Sequence, residues 1–138
     1  SIMSTYKPSE NLEENARVKA VFDDIRATRK SDFINNMWHY IAFDEDLLER
    51  TWSDVKRVMT EPSAIDPLTK EMIYLAVSIA NSCSYCVHSH TAAARAKGLS
   101  DEQHAELIKI VSLAARTNHI ANGLQIPTDD VFDKDIVS

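Results

Sequence analysis

The chain has 138 residues, 44% apolar and 26% charged, an ordinary balance for a core that needs no covalent staples. A formal net charge of −6, with no run of five basic residues, makes nucleic acid and anionic membrane surfaces poor partners. No apolar run approaches the roughly 20 residues that span a bilayer, and two glycines and four prolines leave little material for turns. Strand-like alternation is absent, and long stretches rich in Ala, Leu, Glu, Lys and Arg predict an all-α chain. We expect about six helices in one domain, 1–138, without repeats or linkers. The N-terminal SIMSTYKPSENLEEN lacks a basic stretch followed by an apolar one, so no export signal is expected. A reducing cytoplasm is the expected setting.

In chain order, SENLEENARVKAVFDDIRATRK reads as a first helix. Ser9 can serve as its N-cap, and Val18, Val21, Phe22 and Ile25 form its apolar stripe. SDFINNMWHYIAF is a shorter second helix, and Asp44 caps a third, EDLLERTWSDVKRVMTE. PSAIDP is the clearest break. Asp66 caps the next helix, PLTKEMIYLAVSIA, with Pro67 at its first position. That helix is apolar nearly all round after Glu71, which predicts a central buried element and, for a small chain, a homo-oligomer. Asn81 and Ser82 interrupt it, Ser82 capping a helix from Cys83 to Lys97 that Gly98 closes. Ser100 and Gln103 form a capping box for DEQHAELIKIVSLAARTNHIAN, ended by Gly123 and Pro127. The acidic tail TDDVFDKDIVS is short enough to dock or fray.

The chemistry concentrates in NSCSYCVHSH, residues 81–90, which holds both cysteines and two of the five histidines. A zinc site would need converging ligands. At about 100° per residue, Cys83, Cys86 and His90 fall within roughly 60° of one another, with His88 on nearly the opposite face. One face thus offers three ligands, and no third cysteine exists to complete a thiolate-rich site. The spacing C-x-x-C alone leaves a redox dithiol and two small buried hydrophobes equally open. Its setting favours the dithiol. Cys83 in a first helical turn gains from unpaired N–H groups and the helix dipole, and His90, one turn beyond Cys86, can take a thiol proton. Glu71 would lie about 18 Å from Cys83 on an unbroken helix, but the break at Asn81 and Ser82 lets two helices fold together. It can equally be a solvated carboxylate near a helix N-terminus.

The segment KEMIYLAVSIANSCSYCVHSHTAAARAKGLS resembles the signature of the AhpD-like alkylhydroperoxidases within the carboxymuconolactone decarboxylase superfamily. The pattern is a Glu, eleven residues, then C-x-x-C-x-x-x-H, an Ala-rich helix and a Gly; it falls on Glu71, Cys83, Cys86 and His90. The motif core covers residues 69–100. The resemblance implies an all-helical fold assembled as homotrimers or homohexamers. It implies a thiol-dependent peroxidase of organic hydroperoxides, serving antioxidant defence. Cys86, beside His90, would attack the peroxide and become a sulfenic acid, Cys83 would resolve it as a disulfide, and Glu71 would complete the proton relay through water. A thiol, lipoyl or thioredoxin-like partner would supply the reductant. One position departs: the peroxidase branch carries a histidine just before the second cysteine, where this chain has Tyr85, a poor base at neutral pH but a possible auxiliary. The decarboxylase branch lacks the cysteine pair, which argues against lactone decarboxylation.

Two alternatives remain open. One is a general dithiol–disulfide oxidoreductase or redox sensor with weak peroxidase activity; the other is a non-catalytic structural oligomer. His88 reads as a surface or interface residue, His39 as a core histidine, and His104 and His119 as ordinary helix-face residues. Trp38, Tyr40 and Trp52 read as core or subunit contacts. No phosphate loop and no flavin or nicotinamide signature is present, so neither cofactor nor metal is expected.

Overall fold

The computed structural model describes residues 4–134, and among these the regular structure is entirely helical. The helices are α1 (Ala16–Arg29), α2 (Asn36–Ile41), α3 (Glu45–Val55), α4 (Pro67–Ala80), α5 (Ser84–Ala96), α6 (Asp101–Leu124) and a short α7 (Val131–Lys134). By its internal contacts the chain divides into two compact units, one up to Ala64 and one from Ile65.

In the first unit a single 3-10 turn, Leu12–Glu14, precedes α1. The cap of α1 is Asn15, not Ser9. Its side chain accepts from the Arg17 and Val18 amides, satisfying donors that the first turn leaves orphaned. The expected stripe of Val18, Val21, Phe22 and Ile25 is buried, packed with Ile34, Trp38, Ala42, Leu48 and Trp52. Trp38 and Trp52 meet edge to face at 5.5 Å. Trp52 Nε1 donates to Asp24 at 2.8 Å, so the indole is buried without losing its hydrogen bond. His39 stands edge-on to Phe22, among the aromatics. The second helix is shorter than the expected 31–43, and α3 begins after Asp44, which accepts from the Leu47 amide. The last turn of the third element widens to π-type bonding over Lys56–Thr60.

The second unit is a helical hairpin, α4 and α5, with α6 packed on α4. Asp66 caps α4 by accepting from the Thr69 amide at 3.0 Å, with Pro67 in the first turn. Within the single chain, α4 is covered on one side. Its buried residues are Glu71, Leu75 and Ser78, one narrow stripe, while Ile73 and Val77 are about half exposed, at 49% and 53%. Gly98, at φ +103°, turns the chain out of α5, a conformation that a side chain would strain. The capping box of Ser100 and Gln103 opens α6. This helix continues through Gly123 and stops at Gln125, which takes the left-handed conformation in the glycine's place. Of its side chains only Leu107 is buried. Within the acidic tail, Val131 and Phe132 of α7 are exposed; residues 135–138, on which part of that expectation falls, lie outside the described residues.

Candidate active site

The site forms where α4 reverses into α5. Asn81 ends α4, and Ser82 adopts the left-handed conformation at φ +58°, which costs a non-glycine residue about 1 kcal/mol. That turn directs the Cys83 amide to the Ser78 carbonyl at 3.0 Å and starts α5 running back along α4. The N-cap is therefore Cys83, not Ser82, and the helix begins at Ser84. Extended at φ −91° and ψ 91°, Cys83 lets its sulfur accept from the Cys86 amide at 3.3 Å. A disulfide joins Cys83 and Cys86, whose Cα atoms are 5.3 Å apart, within the range such bridges need.

The hairpin places Glu71 against α5. Its carboxylate is buried, 5% exposed, and both oxygens are engaged. Oε2 lies 2.7 Å from His90 Nδ1, and Oε1 accepts from Lys97 Nζ at 3.2 Å. Sequence reasoning expected Glu71 to reach the relay through water; the contact with His90 is direct, because the tight reversal at Ser82 brings the two helices together. Burial is the largest single influence on Glu71 and pushes its pKa up. The hydrogen bond from His90 and the charge of Lys97 outweigh it, so the carboxyl titrates below its ordinary 4.5 and is ionised at neutral pH.

An ionised carboxylate can only accept. The hydrogen bond therefore fixes the proton of neutral His90 on Nδ1 and leaves Nε2 with its lone pair, the form a base requires. The ring is held on a second side by Tyr74, which stacks on it at 3.8 Å and 23°. Glu71 and Tyr74 are three residues apart and present one wall to the imidazole. Ser78, buried on the same helix, donates to the Tyr74 carbonyl at 2.8 Å and so leaves no unpaired hydroxyl there.

Of the candidate residues, Cys83 is bridged to Cys86, and Glu71 is bonded to His90. Cys86 and His90 lie one turn apart on the same helix, a spacing that puts them on one face. Tyr85 is in the first turn of α5 and 42% exposed. His88 and His119 are exposed, and His104 accepts from Arg95 at 3.3 Å. Among the described residues no three His, Cys, Asp or Glu side chains converge as a metal site. Sequence reasoning missed Lys97 and Tyr74. Lys97 follows His90 by seven residues, two helical turns, so the two share a face, but that spacing does not name the α4 carboxylate as its partner. Tyr74 gave no comparable signal, since an aromatic in an apolar helix reads as core.

The carboxymuconolactone decarboxylase family matches residues 46–129. A crystal structure of the alkylhydroperoxidase AhpD core from Rhodospirillum rubrum is 59% identical, with a TM-score of 0.91, covering 95% of this chain and 98% of that one. No match was found among curated proteins. With more than half its length matched by the family and nearly all of it by the AhpD core, the chain belongs to the carboxymuconolactone decarboxylase family as an AhpD-like member.

Proposed function

We propose that this protein is a thiol-dependent peroxidase that reduces organic hydroperoxides through Cys83 and Cys86. The observation that carries the reading is the Glu71–His90 hydrogen bond, which frees Nε2 on the helix that bears both sulfurs. The 59% identity to a protein named an alkylhydroperoxidase supports it.

In the reduced protein, Cys86 passes its proton to His90 Nε2. The thiolate attacks the terminal peroxide oxygen, the O–O bond breaks, and the alkoxide leaves as an alcohol with the proton from His90. Cys86 is then a sulfenic acid. The Cys83 sulfur attacks it, water departs, and the disulfide forms. Two electrons and two protons from an external dithiol, of the thiol, lipoyl or thioredoxin type, restore the pair. The cysteine pair supplies the redox chemistry, with no cofactor invoked. We place the reaction in the cytoplasm, in a homotrimer or homohexamer whose exposed apolar residues on α4 and α6 are subunit contacts.

Stopped-flow oxidation of the reduced protein tests this. One equivalent of an organic hydroperoxide should remove two thiols rapidly at neutral pH, and mass mapping should place the disulfide at 83–86. Thiols that ignore peroxide but exchange readily with a protein disulfide would replace the reading with a general dithiol oxidoreductase. Tyr85, standing where the peroxidase branch has a histidine, is the feature that favours that second reading.

A further inference from the structure

We propose that Lys97 is a positioning residue of the dithiol site: by pairing with buried Glu71 it keeps the Glu71–His90 couple from holding an extra proton, so that Nε2 stays available to the thiol. The proposal rests on the dithiol reading above and adds to it a residue and a pH dependence.

The geometry leaves Glu71 two partners. His90 takes Oε2 and Lys97 takes Oε1, both from α5. The Glu71 side chain is 6% exposed and that of Lys97 37%, so the lysine reaches from the surface to a carboxylate that water scarcely touches. On α6, the other helix packed on α4, the buried side chain is Leu107, and His104 is engaged with Arg95. Lys97 is thus the one permanent cation bonded to Glu71 among the described residues.

Without that cation the buried carboxylate is poorly solvated, and burial favours its neutral form. The couple would then retain a proton to higher pH. Whether that proton is drawn as a carboxylic acid donating to Nδ1 or as an imidazolium beside a carboxylate, Nε2 carries hydrogen in both drawings. Neither form can accept from Cys86. These are two descriptions of one coupled titration, and its apparent pKa belongs to the pair. An opposite charge at this distance lowers a carboxylate pKa by about 1–3 units. Lys97 supplies that charge from a partly solvated position, so it lowers the Glu71 pKa without being wholly desolvated itself.

A purely structural role is the competing account. Lys97 is the C-cap of α5, where a cation also complements the helix dipole. The two accounts separate by pH. The reduced full-length protein is compared with Lys97→Met and Lys97→Arg over about pH 5 to 9. The readouts are iodoacetamide alkylation of Cys86, peroxide oxidation, and the ¹⁵N shifts of His90. Lys97→Met should move the acid limb of both rates to higher pH, on the order of a tenfold loss at a fixed pH on that limb that recovers above it. Lys97→Arg should return the limb towards its original position. In the wild type, neutral His90 should carry its proton on Nδ1.

A pH-independent loss of rate in Lys97→Met, or an unmoved limb, would overturn the proposal. So would a wild-type His90 protonated on Nε2 at neutral pH, a measurement that needs no variant to fold. Alkylation and the ¹⁵N shifts do not involve peroxide. A wild type that fails to consume hydroperoxide therefore removes the peroxidase reading, while those two readouts still decide the role of Lys97.

Discussion

The two units of this chain use their interiors differently. The first buries Val18, Phe22, Ile25, Trp38, Leu48 and Trp52 in a contiguous apolar cluster. Among the described residues it buries no charged side chain. The second buries fewer and smaller apolar groups, Leu75, Ala94, Leu99 and Leu107, and among them places Glu71 and Ser78. Full burial of a large apolar side chain contributes about 1.5–3 kcal/mol, whereas a buried carboxylate is tolerated only when paired. Packing governs the first interior and proton placement the second. Changes in the first should therefore cost stability, and changes in the second should cost rate.

The largest effect expected is on the sulfurs. Cys86→Ser should abolish peroxide-dependent thiol loss, while Cys83→Ser should leave a sulfenic acid that dimedone traps at Cys86. The cap hydrogen bond to the Cys83 sulfur gives the order of attack a sharp test: a sulfenic acid trapped at Cys83 in Cys86→Ser would reverse it.

Next is the base. His90→Gln should slow peroxide reduction by about 10²- to 10⁴-fold, the usual range for a general base, with the urea midpoint nearly unchanged. An unaltered rate would transfer thiolate formation to the cap at Cys83 and dissolve the contrast between the units. Phe22→Ala should do the opposite, costing about 3–5 kcal/mol of unfolding free energy; a loss below about 1 kcal/mol in denaturant titrations would show that the first core contributes little to stability.

Glu71→Gln should be milder than His90→Gln, on the order of 10- to 10²-fold in rate, since an amide oxygen can still accept from Nδ1. The same variant sharpens the smallest prediction, the pH dependence of stability. The folded pKa of Glu71 lies below its ordinary 4.5, so over that interval the unfolded chain binds more protons than the native one. Its stabilising contribution is present in full above about 4.5 and is lost as pH falls through the lowered value. Urea midpoints of the wild type and Glu71→Gln should differ in their acid slope, with the wild type falling more steeply. Equal slopes would mean that folding does not lower the Glu71 pKa.

What the sequence made legible follows the range of the interactions. Asp66 with Pro67, and Ser100 with Gln103, were readable because a cap is settled within four residues. The stripe from Val18 to Ile25 was readable from its period. Asn15 displaced Ser9 because the intervening acidic residues formed a separate 3-10 turn, a choice that composition does not dictate. For α4 the composition told less: one stripe is covered within the chain, and which other apolar faces are covered depends on neighbours that a local pattern does not name. The pair of cysteines and His90 share one helix and were legible together. Lys97 was not, since its partner is 26 residues away and a lysine at a helix end looks like ordinary solvated charge.

Cys83, Cys86 and His90 span eight residues, from the extended N-cap of α5 into its second turn, so their mutual spacing is set by that cap and the helix backbone. Such a cassette is portable: a helix N-terminus with the same extended cap could receive it and gain two sulfurs and an imidazole in register. What would not travel is the orientation of the proton, because the carboxylate that directs it arrives from α4, and the charge that keeps that carboxylate ionised stands two turns further along α5. A minimal redox helix cut from this protein would thus inherit its reagents without their protonation state, and the hairpin is the smallest piece that carries both.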